Sequence, residues 1–122
     1  MRFFRCNHHA VIQACISTSG KAPSDTPKEE LIANMVDAAI EKHVPVIARE
    51  GNTVTVTVGS VLHPMTEEHY IPFIALETAQ GLQVKNLKPG MKPVAVFALA
   101  DGDEPVAAYE YCNLHGLWKA EA

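Results

Sequence analysis

The chain has 122 residues, enough for one domain with a real core or one domain carrying a small N-terminal appendage, and too few for two full domains. Its 48% apolar and 20% charged residues are ordinary for a soluble globular protein, and a formal charge of −4 at pH 7 leaves no clustered Lys and Arg of the kind a nucleic-acid footprint needs. Residues Met1-Arg2-Phe3-Phe4-Arg5-Cys6 show neither the apolar run nor the small-residue cleavage site of a signal peptide, and no apolar stretch is long enough to span a bilayer. We therefore expect no nucleic-acid or membrane partner and a cytoplasmic location. Three cysteines in such a chain read as free thiols or metal ligands before they read as a disulfide framework.

Residues 1–36 read as a small N-terminal lobe, with an apolar hairpin-like pair (Phe3 to Cys6, Ala10 to Ile16) and a Ser-, Pro- and Gly-containing loop from Ser17 to Pro27. Between Glu29 and Lys42, Leu31, Ile32, Met35, Val36, Ala39 and Ile40 fall at helical spacing and suggest an amphipathic helix, limited by Pro45 because the residue before a proline avoids the α region. From Val44 onward the pattern is β. Val44 to Ile47 is a short apolar run, Glu50-Gly51-Asn52 is a turn, and Thr53 to Val58 alternates Thr and Val with period two. Tyr70 to Thr78, Leu82 to Leu87, Val94 to Leu99 and Val106 to Tyr111 follow, separated by Gln80-Gly81, Pro89-Gly90 and Asp101-Gly102-Asp103, each a turn signal. Short strands with tight turns and no intervening helices predict an all-β antiparallel sandwich or barrel over residues 37–122.

The chemistry-bearing residues fall on the connections. Cys112-Asn113-Leu114-His115 holds a thiol and an imidazole two residues apart, His63-Pro64-Met65-Thr66-Glu67-Glu68-His69 places two imidazoles on one loop, and Glu41-Lys42-His43 sets charge beside another. Any one of these histidines alone reads as a surface or hydrogen-bonded residue. Four of them with a cysteine, on loops where a sandwich clusters its strand ends, would be a costly set of desolvated polar groups unless something binds them. A structural zinc site would take Cys112, His115, His63 and His69 and leave His43 idle. A blue-copper site wants two His, one Cys and a weak axial Met, and no Met follows His115 at short spacing. Five donors with one thiolate suggest iron, with imidazoles around it, sulfur on the axis and one position open.

Three segments, Glu41-Lys42-His43-Val44-Pro45-Val46-Ile47, His63-Pro64-Met65-Thr66-Glu67-Glu68-His69-Tyr70-Ile71 and Tyr109-Glu110-Tyr111-Cys112-Asn113-Leu114-His115-Gly116-Leu117-Trp118, resemble in order the signature blocks of the superoxide reductases, the desulfoferrodoxin and neelaredoxin family. The likeness covers roughly residues 29–119. It implies an immunoglobulin-like antiparallel β-sandwich and a small N-terminal desulforedoxin-like lobe. It further implies a mononuclear non-haem iron, Fe2+/Fe3+, bound equatorially by His43, His63, His69 and His115 and axially by Cys112. It also implies mainly extended or looped chain, with one helical turn near Asp37 to Lys42, where the periodicity suggests a helix; the apolar residues counted there would then cover a sandwich edge or a subunit contact.

The activity the resemblance implies is one-electron reduction of superoxide to hydrogen peroxide, with Lys42 and Glu41 as the catalytic side chains. Four neutral imidazoles and one thiolate leave ferrous iron a net charge of +1, and Lys42 adds a positive charge within a Debye length of about 8 to 10 Å. Glu41, by the same analogy, can take the sixth position of the oxidised iron. Without the likeness, Lys42 reads as a solvated lysine and Glu41 as its helix-face partner, while Trp118, Tyr70 and Tyr111 read as packing. The longer members of the family carry a second iron on four cysteines. Here Cys6 is followed by His9, and the later cysteine pair is replaced by Pro23 and Ser24, so that second site cannot form. Cys6, His9 and Cys15 remain as three scattered donors. A rubredoxin-like external electron donor and a homodimer or homotetramer complete the expectation.

Overall fold

Arg2–Cys6 (β1), Ile12–Cys15 (β2) and Lys28–Leu31 (β3) form a three-stranded antiparallel sheet in the order β2-β1-β3. These strands belong to one unit, residues 1–32, of the computed structural model, which describes residues 1–6, 11–16 and 28–122. Phe3 is buried, and Arg2 and Arg5 reach across to Glu30 and Glu29. The register sets Cys15 opposite Arg2, four residues along β1 from Cys6, so the two cysteines stand about 13 Å apart. That span is too long for one ion to bond both. His9, Pro23 and Ser24 lie outside the described residues.

Residues 33–122 form the second unit, whereas the sequence reading places the boundary after Val36. Here the helix suggested by periodicity over Glu29 to Lys42 does not form. The segment runs as β3, then as looped chain with a turn at Ala33 and Asn34 and bends at Val36 and Ala38, then as a single helical turn, Ile40–His43 (α1), as the resemblance implies. Asn34 explains why. It adopts φ 63°, and its side chain imitates a strand neighbour, with Nδ2 donating to the Lys119 carbonyl (3.1 Å) and Oδ1 accepting from Lys119 N–H (2.8 Å). A short amide side chain tolerates this left-handed conformation where a branched one would not. The segment thereby covers an edge of the sandwich.

Seven strands follow. Pro45–Glu50 (β4), Thr53–Val58 (β5), Phe73–Thr78 (β6), Gly81–Asn86 (β7), Val94–Ala98 (β8), Pro105–Cys112 (β9) and Gly116–Glu121 (β10) pair antiparallel into a sheet β4-β5-β8 and a sheet β10-β9-β6-β7. The alternation along β5 is used as expected. Val54, Val56 and Val58 are fully buried between the sheets with Ile71, Ile74, Leu76, Ala108 and Phe97, while the threonines turn outward. Strand β10 is absent from the sequence reading, since its Gly-Leu-Trp-Lys-Ala-Glu text carries no alternation; its pairing with β9 from Gly116↔Cys112 to Glu121↔Ala107 makes it a strand. No helix among the described residues is long and apolar enough to cross a membrane.

Candidate metal centre

One end of the sandwich collects the connections that carry the donors. His43 closes α1, which is made by Lys42 N–H to Ala39 O (3.1 Å) and Val44 N–H to Ile40 O (3.0 Å). His63 and His69 lie on the loop between β5 and β6, anchored where His63 N–H donates to Val58 O (3.0 Å). His69 is set in a tight turn in which its N–H meets Thr66 Oγ1 (3.1 Å) and Thr66 N–H meets His69 O (2.9 Å). Cys112 ends β9, and His115 sits on the turn into β10.

The four rings form a square. Ring centroids are 4.8 Å apart for His43 and His63, 4.5 Å for His63 and His69, 5.1 Å for His69 and His115, and 4.9 Å for His115 and His43. Each of those four neighbouring pairs is edge-on, with interplanar angles from 77° to 83°, while the diagonal from His43 to His69 is 6.4 Å. Cys112 completes the group: donor atoms of His43, His69, Cys112 and His115 all lie within 4.8 Å of one another. A single ion with bonds of about 2.0 to 2.3 Å separates opposite donors by about 4 to 4.6 Å, so these atoms surround a volume of one cation.

Hydrogen bonding decides which nitrogen faces inward. His43 Nδ1 donates to Ala39 O (2.7 Å) and His63 Nδ1 donates to Pro64 O (2.6 Å), because a carbonyl only accepts. Each ring therefore turns an unprotonated Nε2 into the group, the usual device by which a backbone carbonyl fixes a ligand tautomer. Nε2 of His63 and of His69 are buried with no hydrogen-bond partner. His115 presents Nδ1 instead, 3.0 Å from His43 Nε2 and 3.7 Å from Cys112 Sγ. Orphaned buried nitrogens are costly, and so many lone pairs aimed at one point fit a cation.

Burial lowers the pKa of His43, His63 and His69, with repulsion among the imidazoles adding to it, and His63 is pushed down to about 4. Burial raises the Cys112 thiol, whereas the backbone N–H groups of Leu114 and His115 at its sulfur work the other way. Ligand imidazoles must be neutral, so protons begin to compete for these three rings only below the ordinary pKa of 6.5. We expect a loaded centre to keep its metal at pH 6 and to lose it as the pH falls towards about 4. Visible absorbance followed during acid titration checks this, and bleaching centred near 6.5 would contradict it.

Neighbouring residues complete the geometry. Trp118 is buried, with its indole N–H donating to His115 O (3.1 Å) and its ring 4.9 Å from that of His43, and Tyr111 stacks on Phe73. Glu41 and Lys42 are exposed on α1 beside His43, and the Lys42 charge reaches both His43 and His69. Two features escape sequence reasoning. Gly59 has φ +85°, and an added Cβ would lie 2.7 Å from Lys42 Cα, so only glycine lets α1 sit against the end of β5. Glu110 is fully buried on β9, and burial holds its carboxyl well above the usual range. Neither of its oxygens has a hydrogen-bond partner. Its place two residues before Cys112, on the inward side of the same alternation, is the signal that could have found it.

The desulfoferrodoxin family model matches residues 35–121. The chain is 48% identical over 95 residues to a desulfoferrodoxin of Clostridium acetobutylicum, covering 78% of this chain and 74% of that one. It is 39% identical over 98 residues to the superoxide reductase of Pyrococcus horikoshii, covering 66% and 85%. The crystal structure of the superoxide reductase from Treponema pallidum superposes with a TM-score of 0.77 at 39% identity, over 92% of this chain and 93% of that one.

Proposed function

The chain belongs to the desulfoferrodoxin family, and from that premise we propose that it is a superoxide reductase whose iron is held by His43, His63, His69, His115 and Cys112. The observation that carries the reading is the square of imidazoles with a buried thiol beside it. A four-donor zinc site would leave one corner of that square unused, and a copper site of two imidazoles would leave two. The named activity of similar proteins in Pyrococcus horikoshii and Treponema pallidum supports the same assignment.

A mononuclear iron in this position supplies the single electron that, with two protons, converts superoxide to hydrogen peroxide. The protein's own residues set the conditions. Inward-facing Nε2 atoms of His43 and His63 are pre-oriented by Ala39 and Pro64, so little reorganisation accompanies uptake. Cys112 lends electron density from a dry position, moderated by the Leu114 and His115 N–H groups. Lys42, exposed on α1, would draw the anionic substrate and order water for proton delivery; Glu41 on the same turn would be a further carboxylate ligand for the iron. Electrons come from a small external carrier of the rubredoxin type.

The test is anaerobic loading with ferrous iron followed by superoxide in the presence of excess reductant. Reduction gives one peroxide per superoxide and no dioxygen; dioxygen in amounts equal to the peroxide would mean dismutation and sink the reading. Lys42→Ala should slow the reaction with superoxide about threefold to tenfold at low ionic strength and flatten its salt dependence, measured by pulse radiolysis or stopped flow. Equal rates for the two proteins at every salt concentration would remove Lys42 from the mechanism.

A further inference from the structure

His43 and His63 are each aimed by a hydrogen bond from their own ring to a backbone carbonyl, whereas no hydrogen bond orients the ring of His69 among the described residues. Its direction must therefore come from its backbone. The Thr66 turn supplies one constraint. Asn113 supplies the other. Tyr70 N–H donates to Asn113 Oδ1 (3.0 Å), Asn113 Nδ2 donates to Glu68 O (3.0 Å), and Asn113 N–H donates to Tyr70 O (3.2 Å). Glu68 and Tyr70 are the residues on either side of His69, so this one side chain grips the peptide before and the peptide after it. Asn113 itself follows Cys112 on the adjacent loop and offers no atom to the square.

We propose that Asn113 is the positioning residue for His69, tying that corner of the square to the loop that carries Cys112 and His115. The primary amide suits the task because it accepts through Oδ1 and donates through Nδ2 at once, which neither aspartate nor leucine can do. Without it, the loop from Thr66 to Tyr70 keeps its own turn and the backbone bond to Asn113 but loses the two side-chain bonds that fix the peptides flanking His69, and a displacement of about 1 Å is enough to spoil a bond to an ion. The inference rests on the proposed metal centre.

The experiment is titration of the full chain with cobalt(II), whose visible spectrum reports coordination geometry independently of turnover, in the parent and His69→Ala backgrounds. Asn113→Ala should weaken binding about 10-fold to 100-fold in the parent and shift the ligand-field bands. In the His69→Ala background the same change should add less than about twofold, because the only ring it serves is gone. Asn113→Asp, which keeps the acceptor and loses the donor, should fall between and carries the same comparison if the alanine variant does not fold. An equal loss in both backgrounds, or a parent-like spectrum and affinity for both Asn113 variants, would overturn the assignment while leaving the metal centre intact. A parent chain that takes up no cobalt(II) would overturn both.

Discussion

Cys112→Ser is expected to leave a folded protein that has lost the visible absorption of an iron–thiolate centre and at least about 100-fold of its rate with superoxide, since outer-shell changes alone cost metal sites 10-fold to 100-fold. The fold should survive for a local reason. Cys112 is fully buried among Val58, Ile71, Ile74 and Ala108, and serine is nearly its shape. The Leu114 and His115 N–H groups that face the sulfur would still have an oxygen to meet. Burying a hydroxyl where a soft, weakly polar sulfur sat costs about 1 to 3 kcal/mol, a change that denaturant unfolding of the metal-free chain would detect. The metal site suffers far more. A neutral hydroxyl is a poor ligand and donates little charge, so an iron held as proposed would lose both a bond and its reducing push. Reconstitution with iron, a visible spectrum and a superoxide assay decide the matter. A variant that keeps the absorption band and the rate would mean that Cys112 is an ordinary core cysteine.

Gly59→Ala should be the most damaging alanine substitution among the described glycines, the only one of them whose added carbon meets backbone within 3 Å. At φ +85° any side chain is strained, by about 1 to 2 kcal/mol. The added carbon would also overlap the backbone of Glu41 and Lys42, which cannot rotate away as a side chain would. The Glu41–Lys42 peptide is pinned by Val61 N–H to Glu41 O (2.9 Å) and Ser60 Oγ to Glu41 O (3.3 Å). Relief therefore requires that α1 lift from the end of β5, carrying His43 with it. We expect a loss of about 3 kcal/mol or more in unfolding free energy. Iron stoichiometry at equal protein concentration should fall well below that of the parent. An unchanged denaturation midpoint with full iron content would show that the turn has slack the geometry does not reveal.

The sandwich was readable where one physical signal acted alone. Along Thr53–Val58 the two-residue period has a single interpretation, because only a strand puts Val54, Val56 and Val58 on one side. Leu31 to Ile40 is the opposite case, where helical spacing of apolar residues competed with a left-handed Asn34 and its bonds to Lys119, and the tertiary contacts won. Strand β10 was invisible because its only rule is the register it borrows from β9. In the site, His43, His63, His69, Cys112 and His115 stood out as residue types, and what brought them together could not be read from spacing. Gly59 and Asn113 act through backbone atoms of other loops, so their importance exists only once those loops meet. Glu110 is legible as a charge at an inward position, a local conflict of the sort that marks functional regions.

The corners of the square follow one another around it in chain order, from positions 43, 63, 69 and 115, on three different connections between strands, His63 and His69 sharing one. No hairpin or fragment of the sandwich contains more than part of the set. Tight capture of the proposed ion would thus require a correctly assembled sandwich: a polypeptide that has paired only some of its strands, or paired them out of register, would bring too few of these donors together. An ion so held would also fasten loops far apart along the polypeptide, and its departure would free them together, so that this end would open first.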